Sequence, residues 1–161
     1  MNPARVFAMA TPSQINPASV GRSTTTDTVS PATAAAMCAG MPKLWYLAAM
    51  LKWADDWSGA DYLEYRLWME AAGMASTRGW EPPKGEEFLR RMAKLAIDEM
   101  GWPSKYKFDK DKCEYLGISP STFCNRWKCR YGLIYQVLDG WASEGFRYVQ
   151  RNNIDEGGYL G

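Results

Sequence analysis

Residues 115–132 read YLGISPSTFCNRWKCRYG, and the way this stretch turns decides how the chain folds. Two helices that cross steeply need a tight corner, and glycine takes the left-handed conformation that such a corner uses. Gly117 supplies it, with Leu116 before it and Ile118 after it to fill the angle. Ser119 has the side chain of a helix N-cap. Pro120 then falls at the first helical position, where its missing N–H costs nothing. Phe123 and Trp127 stand four residues apart and share one face, so they are expected to pack back on Tyr115, Leu116 and the helices beyond. The other face carries Ser121, Thr122, Asn125, Arg126 and Lys128, and the basic run continues to Arg130. Side chains of these types reach phosphate oxygens and base edges. The reading is a helix-turn-helix over residues 109–130, with Ser119, Ser121, Thr122, Asn125, Arg126, Lys128 and Arg130 as the DNA-contacting candidates. An ordinary helical corner with a solvated basic face is the plain alternative.

Charge points the same way. Residues 105–130 hold seven basic side chains against three acids, a local net charge of +4 in a chain of +1. The rest of the chain is therefore net negative. A chain so close to neutral is not a polybasic binder, and any nucleic-acid site must be a local patch.

Working outward, the pattern is helical on both sides. KLWYLAAMLKWADDW from Lys43 sets Leu44, Leu47, Ala48 and Leu51 on one stripe, with Pro42 placed for a first turn. ADYLEYRLWMEAAGMA repeats the pattern with Leu63, Leu67, Ala71 and Met74. GEEFLRRMAKLAIDEM opens on Glu86 and Glu87, which suit the positive end of a helix, and sets Phe88, Leu89, Met92, Leu95, Ala96 and Met100 on its apolar side. LIYQVLDGWASEGFRYVQ is a further helix, weakened at Gly140 and Gly145, where a kink is expected. Nothing alternates as a strand would. The fold class is all-α, a compact helical bundle of five or six helices, and 8 Trp, 9 Tyr and 5 Phe in 161 residues are ample for one core.

Residues 1–41 differ in composition. They carry Pro3, Pro12, Pro17 and Pro31, a Ser-Thr-Thr-Thr run, and only Arg5, Arg22 and Asp27 as charges. Such a segment buries too little to offset its ordering entropy, and it reads as a flexible arm. The division is an arm over 1–41, a helical domain over 42–152 and a frayed polar tail over 153–161. No run approaches the roughly 18 apolar residues of a membrane span, and the start lacks the apolar core of a secretory signal. A cytosolic chain with no membrane partner is expected.

Catalytic and metal chemistry find little footing. There is no histidine, and Cys38, Cys113, Cys124 and Cys129 contain no CxxC pair, so neither a zinc site nor any other cofactor is expected. Phosphate-binding and nucleophile-elbow signatures are missing, which leaves general acid–base work to carboxylates, lysine or tyrosine. Asp55, Asp56, Asp61 and Glu64 cluster near one helix boundary, and a solvated or protein-facing acidic surface is their simpler reading. The chain is not expected to be an enzyme.

The stretch EYLGISPSTFCNRW followed by RYGLIYQVLDGW resembles the antitermination protein Q family of lambdoid bacteriophages, in its short, helical branch without a zinc-binding insertion. The likeness covers about residues 43–150 and is strongest over 113–141, leaving the arm outside it. The resemblance implies a double-stranded DNA element near a phage late promoter as one partner. It implies bacterial RNA polymerase, paused with its sigma factor still attached, as another. The protein would then travel with the enzyme in the host cytoplasm and enclose nascent RNA at the exit channel, so that terminator hairpins cannot form there. Trp45, Trp53, Trp57, Trp68 and Trp80 are the candidates for a polymerase-facing aromatic surface. A phage repressor or a terminase small subunit would share the DNA-reading helix without the polymerase step, and an interaction scaffold would share neither.

Overall fold

The computed structural model of the chain describes residues 2–9 and 30–160, with side chains as far as residue 152. It is helical, and no strand occurs among the described residues. The helices are α1 (Pro3–Met9), α2 (Pro31–Cys38), α3 (Lys43–Ala54), α4 (Ala60–Arg78), α5 (Glu86–Gly101), α6 (Asp109–Leu116) and α7 (Lys128–Leu160). A 3-10 turn (Pro103–Tyr106) lies between α5 and α6. A short α turn (Pro120–Thr122) runs through a π turn (Phe123–Trp127) into α7. The chain forms two compact units, one of residues up to Trp57 together with those from Trp141 on, the other Ser58–Gly140.

In the first unit α1 packs against α3 and α2. Val6 and Phe7 are fully buried, with Ala34 and Met37 of α2 and Ala49 and Met50 of α3 in the same cluster. Phe7 stacks on Trp53 at 5.7 Å between ring centroids, and Trp53 meets Phe146 at 5.4 Å. Ser30 caps α2 by accepting the Thr33 N–H at 3.2 Å. The Tyr148 hydroxyl donates to the Ala39 carbonyl at 2.7 Å, and the Asn152 amide donates to the Met37 carbonyl at 3.0 Å. These bonds satisfy carbonyls that the end of a helix leaves open.

The two described ends of the expected arm are thus helical and packed. Each carries a few apolar residues, too short a run to register as periodicity but enough to fill a cleft made by distant helices. The remainder of the arm, residues 10–29, lies outside the described residues. The backbone of the tail, which reads as frayed from residue 153, continues α7 to Leu160.

In the second unit α4 and α5 pack along each other. Leu63, Leu67, Ala71 and Ala75 of α4 are buried. So are all six residues assigned from the sequence to the apolar side of α5. Met74 was expected on the buried stripe of α4; it is half-buried, and Ala75 is buried beside it.

The expected weak points of the last helix have different roles. α7 passes unbroken through Gly140 and Gly145. A Cβ on Gly145 would lie 2.8 Å from the Trp45 carbonyl oxygen and 3.3 Å from its carbon, so this glycine permits close approach of α7 to α3. A Cβ on Gly140 would meet nothing within 4 Å. Gly145→Val should therefore destabilise the protein by about 1–3 kcal/mol, because backbone cannot yield as a side chain can. Gly140→Ala should stabilise it by about 0.5–1 kcal/mol through the lower entropy of the unfolded chain. Urea unfolding of the two variants beside the parent measures both signs.

Candidate nucleic-acid interface

The corner at residue 117 has the backbone that its sequence requires. Gly117 sits at φ 70°, ψ 33°. Its N–H bonds the Cys113 carbonyl at 2.9 Å and the Glu114 carbonyl at 3.3 Å, and the Ile118 N–H bonds the Cys113 carbonyl at 3.2 Å. This is the paired closure that ends a helix on a left-handed residue. Ser119 caps the next turn in extended conformation, its hydroxyl oxygen accepting the Thr122 N–H at 3.2 Å while Pro120 takes the first helical place.

The second segment is wound as a π turn over Phe123–Trp127, with the Lys128 N–H bonded to the Phe123 carbonyl. Phe123 is fully buried and Trp127 nearly so. The three consecutive residues between them, Cys124, Asn125 and Arg126, are exposed. π turns of this kind recur at functional sites.

Trp127 is held from two sides. Phe88 of α5 meets it edge-on at 4.8 Å, and Trp80, in the loop before α5, meets it edge-on at 6.3 Å. The expected ring packing of Trp127 on Tyr115 is replaced by these contacts. Tyr115 instead packs on Tyr106 at 5.9 Å and donates to Asp98 at 3.2 Å.

A second anchor is polar. Glu99 of α5 accepts from the Tyr131 hydroxyl at 2.6 Å and pairs with Lys112 of α6 at 3.0 Å. Lys112 also lies over the Tyr131 ring at 5.3 Å. Adjacent carboxylates on α5 thus hold α6 twice, through Lys112 and Tyr115, and hold the first turn of α7 through Tyr131. Burial, then the bond to Glu99 and its charge, raise the Tyr131 phenol well above the ordinary tyrosine range. Burial and Asp98 raise Tyr115.

The seven DNA-contacting candidates divide on this framework. Asn125 and Arg126 are exposed, and no hydrogen bond or ion pair engages either among the described residues; Ser121 is exposed, its hydroxyl 3.3 Å from that of Ser119. Ser119 and Thr122 bond each other at 2.9 Å as part of the cap. Lys128 donates to Asp109 at 2.7 Å, a surface pair that tethers α7 to the start of α6. Arg130 is half-buried, its guanidinium 4.7 Å from the Trp127 ring and 5.6 Å from the Trp80 ring. Lys128, which is exposed as expected, and the half-buried Arg130 are therefore both engaged within the protein.

Two cations outside the expected patch stand beside the corner. Arg91 of α5 comes within 3.7 Å of the position a Cβ on Gly117 would occupy. It lines an open cleft of about 490 Å³ with Glu64, Glu87, Arg90, Lys94 and Tyr115. Arg90 is paired with Glu64 at 3.5 Å. Arg91 and Lys94 are exposed and make no ion pair among the described residues. Their signal in the sequence is the RRMAK run of the α5 polar face, which lies too far along the chain from residue 117 for sequence alone to associate with it.

The chain matches no family model, no curated protein and no solved structure.

Elsewhere the candidates disperse. Trp53 is core in the first unit and Trp80 packs on Trp127. Trp57 is 38% exposed, with its indole N–H donated to Asp55 at 2.9 Å. Trp68 is half-buried with Arg90 at 5.6 Å over its ring. Among the cysteines Cys38 and Cys113 are buried and Cys124 and Cys129 exposed. Burial pushes the Cys38 thiol up to about 11. No group of three or more metal-ligating side chains is gathered among the described residues, and no helix there is long and apolar enough to cross a membrane.

Gly117→Val should cost about 1–3 kcal/mol, since a β-branched residue is disfavoured at this φ; thermal unfolding measures the loss. Tyr131→Phe should cost about 1.5–3 kcal/mol near neutral pH by removing a bond to a carboxylate. It should also change the alkaline limb. A phenol raised in the fold gives stability that is complete below the ordinary tyrosine value near 10 and is lost as pH rises beyond it. Denaturant unfolding at about pH 7 and about pH 11 should show a smaller alkaline loss in Tyr131→Phe than in the parent.

Proposed function

We propose that the chain is a bacteriophage transcription antitermination factor that reads duplex DNA with a helix-turn-helix at residues 109–130. The single observation that carries the DNA-binding step is the pair Asn125 and Arg126. Both stand clear in solvent on a turn whose neighbours, Phe123 and Trp127, are locked in the core. Asparagine reads adenine and arginine reads guanine by paired hydrogen bonds in the major groove. Such bonds require side chains that are unspent inside the protein and a helix that does not shift. Ser121 adds a polar contact. Arg91 and Lys94 lie beside the corner as phosphate-positioning cations, in place of Lys128 and Arg130.

The polymerase step is supported by the sequence resemblance to the Q family. In this reading the protein binds its element near a late promoter in the host cytoplasm. It joins polymerase that is paused with sigma factor bound, then remains at the RNA exit channel and lets terminators be read through. Of the five candidate tryptophans, Trp57 is the exposed one and stands as the polymerase-facing candidate.

Asn125→Ala and Arg126→Ala should each weaken specific DNA binding by about 1–3 kcal/mol and relax the preference at one base pair. Arg91→Ala should weaken all duplexes alike and lower the salt slope by about one. Fluorescence anisotropy on promoter and scrambled duplexes separates the two behaviours. Transcription through a terminator, with polymerase and sigma factor present, tests the rest. Parent protein should raise read-through only on templates bearing the promoter element, and Arg126→Ala should abolish the effect. Specific DNA binding without any read-through would reject antitermination in favour of a repressor or a packaging protein.

A further inference from the structure

Residues 102–108, WPSKYKF, link α5 to α6, and neither the corner nor its recognition turn accounts for them. Phe108 is 65% exposed and Trp102 57%, the two most exposed large apolar side chains among the described residues. Rings of this size are ordinarily driven into a core. Their base is ordered. The 3-10 turn between them is closed by the Lys105 N–H on the Trp102 carbonyl at 3.2 Å, and the Asp111 N–H bonds the Phe108 carbonyl at 3.1 Å. Tyr106 pins the middle, 6% exposed and edge-on to Tyr115.

Each ring has a cation beside it. The Lys105 ammonium lies 5.1 Å from the Trp102 centroid and 5.4 Å from that of Tyr106, and the Lys107 ammonium lies 5.8 Å from the Phe108 centroid. The segment holds no acid. No ion pair engages Lys105 or Lys107 among the described residues.

We propose that Trp102 and Phe108, with Lys105 and Lys107, form a stacking platform for single-stranded nucleic acid. A nucleotide offers a flat base and a phosphate charge, and each half of this segment offers a flat ring and a cation. The same chemistry selects against duplex, in which base faces are covered by their neighbours. It also sets the segment apart from a protein-docking patch, whose centre is contiguous and apolar with few charges. Here the only exposed large apolar groups are two rings with lysines over them. The platform is independent of the duplex-reading turn and takes a different form of nucleic acid.

Anisotropy of the full chain with a labelled oligothymidine and with a mixed-sequence single strand, beside the corresponding duplex, tests the inference. The parent should bind both single strands and lose affinity as salt rises. Trp102→Ala with Phe108→Ala should weaken single-strand binding at least tenfold and leave duplex binding unchanged. Trp102→Phe should retain most of the single-strand affinity, and Lys105→Glu with Lys107→Glu should remove it. Arg126→Ala should leave it intact. Circular dichroism should show all variants folded, as side chains this exposed permit. A parent with no single-strand binding would overturn the platform. So would a double alanine variant that binds single strands normally but loses read-through, which would make the rings a protein contact. Equal loss of single-strand and duplex binding in either the Trp102/Phe108 or the Arg126 variant would overturn it as well.

Discussion

One carboxylate holds the second unit in register. Glu99 takes a phenol from the start of α7 on one oxygen and an ammonium from α6 on the other, and its neighbour Asp98 takes a second phenol from α6. Polar groups removed from water must be paired, and the pairing geometry is narrow. Apolar contact between helices tolerates sliding by a fraction of a turn; a 2.6 Å bond to a buried phenol does not. An ion pair of this kind adds little net stability after its desolvation cost. Its effect is on orientation, which the proposed reading of base edges would require.

The aromatic contacts act on the same segment from another side. Phe88 and Trp80 close on Trp127, and Arg130 lies across both indoles. With Phe123 also buried, the π turn between residues 123 and 127 has both ends fixed. Between those ends three successive side chains reach solvent together. In the proposed reading, the protein spends Lys112, Lys128 and Arg130 on fixing the frame, leaving Asn125 and Arg126 to the DNA.

Much of this was legible in the sequence, and the legible part is short in range. The left-handed glycine at 117, the cap at Ser119, the proline at 120 and the inward faces of Phe123 and Trp127 all follow from residue types within one or two turns of one another. The apolar stripe of α5 was equally plain, because a long amphipathic helix repeats its signal. What misled was composition taken as a whole. The prolines and threonines of residues 1–41 masked the apolar groups of α1 and α2, Val6, Phe7 and Met37, which are buried against α3 and α7.

The sequence by itself therefore determined the long amphipathic helices, the corner and the exposure of Asn125 and Arg126 on it. Steric limits on φ and hydrogen-bond capping act between neighbours, and neighbours are what a sequence lists. Only the tertiary structure decided which charges are spent. Lys128 and Arg126 look alike along the chain, yet one meets Asp109 at 2.7 Å and the other meets water. Arg91, twenty-six residues before Gly117 in the numbering, stands beside it in space. Electrostatic pairing depends on distance through space, and the fold sets that distance.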